Sequence, residues 1–190
     1  IRFFMSLNLE NQIPIIVSGA LGRMGREVIK AIVLANDCSL VAAIDTSEGK
    51  EGLDIGIEMG LSPLEVFITS DLEGSLCSVS QSKRKEGSSV NPVLIDFTHP
   101  SSVYENTRAA IAYGVNPVIG TTGLNENQLI ELSDFATKAS IGTAVIPNFS
   151  VGMVLLQQAA AAAARFYEHA ELTELHHNRK ADAPSGTCIK

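Results

Sequence analysis

An α/β fold on a parallel, doubly wound sheet is predicted by three features of this 190-residue chain. Short apolar runs rich in β-branched residues recur along it. Each is followed by a segment with helical spacing. Glycine or a polar cluster marks the change from one to the other. Strands that alternate with helices pair in parallel, with helices on both faces and right-handed crossovers.

The first run, "IPIIVSG" (13–19), reads as a buried strand. "GRMGREVIKAIVLAND" (22–37) follows as a helix, with Met24, Val28, Ile32 and Ala35 on one face. "LVAAID" (40–45) is the second buried strand and completes a βαβ unit. The stretch 46–92 is less regular, and the Ser-rich "GSLCSVSQSKRKEGSSVNP" (74–92) is expected to be an exposed loop with Lys83, Arg84 and Lys85 at its tip. "VLIDF" (93–97) is the next strand. Ser102 and Glu105 have the spacing of a capping box for the helix after it, which Gly114 stops. "NPVIG" (116–120) is a strand, "TTGLNENQLIELSDFATKAS" a helix with Asn125 and Gln128 as a second box, and "GTAVIPN" (142–148) a strand. "SVGMVLLQQAAAAAARFYEH" (150–169) is a long helix opening at Ser150, whose alanines suit helix formation and close packing. "AELTELHH" (170–177) alternates weakly and reads as a strand, with His176 and His177 on opposite faces.

Composition narrows the function. The 45% hydrophobic content supports a packed core, while a net charge of -7 argues against a nucleic-acid partner. Cys38, Cys77 and Cys188 form no CxxC spacing, so neither a disulfide framework nor a metal site is expected, and a reducing, cytoplasmic setting fits. No apolar run reaches the ~20 residues that span a bilayer, so no membrane partner is expected. The opening "IRFFMSLNLENQ" makes a poor signal peptide.

The first candidate site is the turn "VSGALGRMGR". Gly19, Gly22 and Gly25 are spaced GxxGxxG between a strand and a helix. Glycines let the backbone approach a pyrophosphate, and the helix start offers N–H groups and partial positive charge. Asp45 ends the second strand, 20 residues after Gly25, where a carboxylate can accept from the adenosine ribose hydroxyls. This is the pattern of a Rossmann-type dinucleotide domain. Asp45 favours NADH and Arg23 favours NADPH, so both cofactors stay open. "DFTHP" (96–100) and "GTTG" (120–123) end buried strands and are expected to line the cofactor cleft. "PNFSVG" (147–152) is compatible with a further contact beside its helix-capping role.

The second candidate site is "ELHHNRKADAPSGT" (174–187). It offers a proton donor, since an unperturbed histidine titrates near pH ~6.5, and a fixed cation in Lys180. The "PSGT" turn can expose N–H groups and the hydroxyls of Ser185 and Thr187 to an anion. Cations beside such a cradle suit a small substrate with one or two carboxylates. No carboxylate or thiol completes a zinc ligand pattern.

The segments "GALGRMGR", "DFTHP", "VIGTTGL", "PNFSVGM" and "ELHHNRKADAPSGT" occur in one order over nearly the whole chain from Ile13. In this the chain resembles the dihydrodipicolinate (4-hydroxy-tetrahydrodipicolinate) reductase family, in a form like that of cyanobacteria. The resemblance implies a nucleotide domain over 13–148 and, over 149–190, the incomplete start of an α+β substrate-binding and oligomerisation domain, because the family's chain runs on past Lys190. It implies reduction of 4-hydroxy-tetrahydrodipicolinate by NADPH or NADH, in the diaminopimelate route to lysine, by a protein that is a homotetramer at full length. His176 would match the proton donor and Lys180 the second catalytic residue. His177, Ser185, Gly186 and Thr187 would match the substrate carboxylate contacts. The cofactor contacts would be Gly19, Ala20, Leu21, Gly22, Arg23, Met24, Asp45, Phe97, Thr98, Gly120, Thr121, Thr122, Ile146, Pro147, Asn148 and Phe149. The loop at 74–92 looks long for the family.

A rival reading is a catalytically silent dinucleotide-binding fragment or redox sensor. The "HHNRK…PSGT" cluster separates the two, because a sensor has no need of it.

Overall fold

The computed structural model of the chain describes residues 12–171 except 88 and 147, together with 173 and 175. They divide into two compact units, the first ending at Val145 and the second starting at Ile146.

In the first unit the order is β1 (Ile13–Ser18), α1 (Arg23–Leu34), β2 (Cys38–Ile44), α2 (Ile55–Glu58), β3 (Ile68–Thr69), α3 (Leu72–Glu86), β4 (Val93–Asp96), α4 (Val103–Ala112), β5 (Asn116–Ile119), α5 (Glu126–Ala139) and β6 (Ala144–Val145). The six strands form one sheet in the order β3-β2-β1-β4-β5-β6, and every neighbouring pair is parallel. The strand order reverses between β1 and β4, which sets the switch point of the sheet at the ends of those two strands.

Alternation along the strands builds two cores. Ile15, Val17 and Ala43 pack with Ile29 and Ile32 of α1 and with Ile55 of α2. Ile16, Ala42, Ile44 and Leu94 pack with Leu76 of α3 and Ala110 of α4. Ile111, Leu132 and Ala136 join α4 to α5 in a smaller cluster. A strand such as β1, buried from Ile15 to Ser18 with neighbours on both faces, reads as a continuous apolar run for that reason.

Several expectations need correction. The stretch 74–92 is not a loop: α3 fills most of it. The Asp71 carboxylate caps α3 by accepting from the Gly74 N–H, Leu72, Leu76 and Val79 face the core, and Gly87 ends the helix in the left-handed conformation. Lys83, Arg84 and Lys85 sit in its last turn, where cations meet the negative end of the helix dipole. Lys83 Nζ also donates to Asn91 Oδ1.

The buried face of α1 is Gly25, Ile29 and Ile32, while Met24 is exposed. Close seating of Gly25 against Gly19 and Ala20 sets this rotation. The Ser102–Glu105 box does not form. Ser102 is already in the helical region, and its hydroxyl turns back to Thr98 Oγ1 and the His99 carbonyl. The Asn125–Gln128 box does form, and α5 starts after it, at Glu126.

The second unit contains α6 (Val151–Ala163), shorter than the helix expected over 150–169. Ser150 makes no side-chain cap; instead Asn148 Oδ1 accepts from the Ser150 N–H at 2.7 Å. The described residues of 170–177, namely Ala170, Glu171, Thr173 and Leu175, carry no strand.

Candidate functional site

The carboxyl ends of β1, β2, β4 and β5 lie along one edge of the sheet. The turn after β1 is built first. Gly19 has φ of +78°, and its N–H and that of Ala20 donate to the Ile44 carbonyl. A Cβ on Gly19 would overlap the Phe97 carbonyl, and one on Gly25 would overlap the Gly19 carbonyl. Only glycine lets β1, α1 and the loop after β4 close on each other this tightly. Gly22 is the N-cap of α1, no side chain caps the helix, and its first turn holds no acidic residue. The first-turn N–H groups, at Arg23, Met24 and Gly25, lack intrahelical partners by geometry and carry the positive end of the dipole.

Asp45 follows β2 and is held over this turn. Its Oδ2 accepts from the Leu21 N–H at 2.8 Å, and its Oδ1 from the Ser47 N–H at 2.9 Å and the Ser47 hydroxyl at 2.6 Å. The Leu21 carbonyl accepts from Arg26 Nε at 3.0 Å, and Arg26 Nη1 reaches the Glu58 carbonyl at 3.0 Å. Both polar groups of the Leu21 peptide are thus engaged inside the protein, so Leu21 fixes the turn rather than offering it a donor. Arg23 is exposed beside it. Arg26 and Ser47 were not singled out from sequence; the only signal was an arginine one residue after the glycine motif.

Phe97 and Thr98 follow β4, and Gly120, Thr121 and Thr122 follow β5. The Phe97 ring packs on Gly120, where a Cβ would strike it. Thr98 and Thr121 hydroxyls both donate to Asp96 Oδ1 at 2.7 Å. Asp96 is fully buried; the sequence placed it at the head of "DFTHP", a segment expected to line the cofactor cleft, but gave it no role of its own. His99 Nδ1 lies 2.9 Å from Ser101 Oγ and accepts from the Ser101 N–H at 3.2 Å. The structure therefore brings Gly19 to Met24, Asp45, Phe97, Thr98 and Gly120 to Thr122 to one sheet edge. Ile146, Asn148 and Phe149 belong to the second unit. Pro147, His176, His177, Lys180, Ser185, Gly186 and Thr187 lie outside the described residues.

Asp54 shapes the loop beside Asp45. It is buried and caps α2, accepting from the N–H groups of Ile57, Leu64 and Glu65. Burial pushes its carboxyl up, but the N–H groups of Leu64, Ile57, Glu65 and Gly56 together hold it below the ordinary aspartate value. Among the described residues, no group of three or more His, Cys, Asp or Glu is placed to hold a metal ion, and no helix is long and apolar enough to cross a membrane.

A parallel sheet in this order, with a glycine turn, an uncapped helix start and an acid after β2, defines a Rossmann-type dinucleotide-binding domain. Comparison with known proteins narrows the class. The family model for the dihydrodipicolinate reductase N-terminus matches residues 13–149, and that for its C-terminus matches residues 152–190. The chain belongs to the dihydrodipicolinate reductase family.

The 4-hydroxy-tetrahydrodipicolinate reductase of Synechococcus sp. (strain CC9605) is 74% identical over 178 residues, covering 94% of this chain and 64% of that protein. The enzyme of the same name from Prochlorococcus marinus (strain MIT 9313) is 72% identical, covering 94% and 63%. This chain therefore spans just under two thirds of the length of these curated relatives. Among solved structures, dipicolinate-bound dihydrodipicolinate reductase from Paenisporosarcina sp. TG-14 superposes with a TM-score of 0.67 at 30% identity, covering 94% of this chain and 63% of that one. The WlbA dehydrogenase of Thermus thermophilus, in complex with NAD, has a TM-score of 0.61 at 16% identity, covering 80% and 47%, and shares the fold.

Proposed function

We propose that this chain carries the cofactor domain and the catalytic motif of a 4-hydroxy-tetrahydrodipicolinate reductase of lysine biosynthesis. The observation that carries the reading is the junction of β1 and α1: a helix start with no side-chain cap and no acid, reached through a glycine at φ of +78°. That surface suits a pyrophosphate, and the residues present fit a dinucleotide. The high identity to reductases named for this activity supports the substrate class.

In this reading NADPH or NADH, when bound, supplies the hydride. The chain's own residues do the rest. Gly19 to Met24 bring the backbone to the pyrophosphate, and Asp45 accepts from the adenosine ribose. The loops after β4 and β5, with Phe97, Thr98, Gly120, Thr121 and Thr122, border the other half of the cofactor. Ile146 to Phe149 supply further contacts from the segment that leads into the substrate domain over 149–190. His177, Ser185, Gly186 and Thr187 take the substrate carboxylates and so orient the ring. His176 delivers a proton to the ring as charge develops there. Lys180 is the fixed cation of the site. The protein acts in the cytoplasm, as a homotetramer at the length of its relatives.

Loss of reduced-nicotinamide absorbance on mixing with freshly made 4-hydroxy-tetrahydrodipicolinate tests the reading, using this chain extended to the length of its relatives. Turnover that dipicolinate inhibits supports it. Cofactor binding without turnover favours the silent dinucleotide module instead.

A further inference from the structure

We infer that Asp96 is a positioning residue for the nicotinamide half of the dinucleotide site, an inference that rests on the cofactor reading above. Asp96 ends β4, beside the switch point of the sheet, and is 0% exposed. A buried carboxylate persists only when its oxygens are fully satisfied. Here Oδ1 accepts from the Thr98 N–H at 3.0 Å and from the Thr98 and Thr121 hydroxyls at 2.7 Å each. Oδ2 accepts from Asn106 Nδ2 at 2.8 Å. The Asp96 carbonyl accepts from the Gly120 N–H at 2.9 Å.

These partners come from three places: the loop after β4, the loop after β5, and α4. None is a cation, so among the described residues the carboxylate is not half of an ion pair. Its bonds run across the sheet edge and lock the two loops to each other. Thr98 and Thr121 spend their hydroxyl protons on Asp96, so they act as struts. The same loops meet at Phe97, whose ring lies on Gly120 and whose carbonyl lies against Gly19.

A core position that served stability alone is filled equally well by an apolar residue of similar size. A charge kept at the ligand end of a strand, with one oxygen accepting from both loops and the other anchored on α4, sets loop geometry. A dinucleotide crosses the sheet at the switch point with its pyrophosphate on the glycine turn and its adenosine ribose at the acid after β2. The nicotinamide half then falls beyond β4 and β5, over the loops that Asp96 ties. An amide cannot replace the carboxylate. In Asp96→Asn the NH2 group faces either the three donors at Oδ1 or Asn106, whose amide must then flip and give up its bond to Thr98 Oγ1, so at least one bond of the network is lost in each orientation.

The test is calorimetric titration of this chain and of Asp96→Asn with NADH and, separately, with ADP, which reaches only the glycine turn and Asp45. The expected result is a loss of NADH affinity of about tenfold or more, with ADP affinity changed less than about twofold. Equal loss of both ligands assigns Asp96 to general stability and overturns the proposal, as does unchanged NADH affinity. If Asp96→Asn does not fold, Thr121→Val removes one strut at nearly constant volume, and the same split is expected of it; its absence overturns the proposal. A wild-type chain that binds neither NADH nor ADP contradicts the cofactor reading itself, whereas one that binds both with equal affinity contradicts only the role given to Asp96.

Discussion

The Asp45 carboxylate and the Leu21 N–H lie 2.8 Å apart and are hydrogen-bonded, joining the acid after β2 to the glycine turn after β1. The acid proposed to read the ribose thus also braces the turn proposed to take the pyrophosphate. Charge-assisted hydrogen bonds of this kind contribute about 1.5–3 kcal/mol each. Asp45→Ala is expected to weaken NADH binding by about ten- to a hundredfold. Because the brace is lost too, it is not expected to tighten NADPH binding. Fluorescence titration with both cofactors checks this, and a gain in NADPH affinity contradicts the bracing role.

Gly25→Ala is expected to destabilise the first unit. The new Cβ overlaps the Gly19 carbonyl and the Ala20 backbone, neither of which can move without shifting α1 against the sheet. Overpacking of this kind costs about 1–3 kcal/mol. Gly142→Ala is the control, since its Cβ finds nothing nearer than 4.0 Å. Urea unfolding of the two variants should separate them clearly.

Asp54 gives the pH prediction. Its carboxyl is held below the ordinary value in the folded state, so the folded chain binds that proton less readily than the unfolded chain. The stabilisation is present above the unfolded value, about pH ~3.9, and is lost as pH falls through the folded value. Asp54→Asn should therefore lower the melting temperature at neutral pH and flatten its decline in acid. A parallel shift of the two melting curves at every pH contradicts the assignment.

His176→Gln, in the chain extended to the length of its relatives, should lower turnover by about 10²–10⁴-fold, the usual worth of a general acid, with cofactor affinity nearly unchanged. Lys180→Ala should lower turnover and also weaken inhibition by dicarboxylates. Steady-state rates and inhibition constants measure both; equal loss of turnover and cofactor binding in His176→Gln counts against a proton donor.

Five of the six strands of the sheet and the glycine turn were legible because each rests on local pattern. β1 and β2 are apolar runs, and Gly19, Gly22 and Gly25 sit where a strand becomes a helix. The start of α5 was legible because Asn125 and Gln128 complete their box with each other alone. α3 was not, since its core contacts are spaced among Ser, Gln and Lys; the Asp71 cap and Gly87 stop were its only clear marks. Ser102 had the right spacing for a box, but its hydroxyl turns back three and four residues, to the His99 carbonyl and Thr98 Oγ1, instead of capping forward. The Asp96 network was invisible to periodicity, because Asp96 and Thr121 are 25 residues apart and meet only once β4 and β5 pair.

The most direct test of the account is calorimetric titration of NADH into this chain and into a Gly19→Val variant. The account predicts saturable binding, one site per chain, that the variant loses because its side chain has no room against Phe97. Absence of saturable binding in the wild-type chain, or undiminished binding in a folded variant, contradicts the assignment of the cofactor to this cleft.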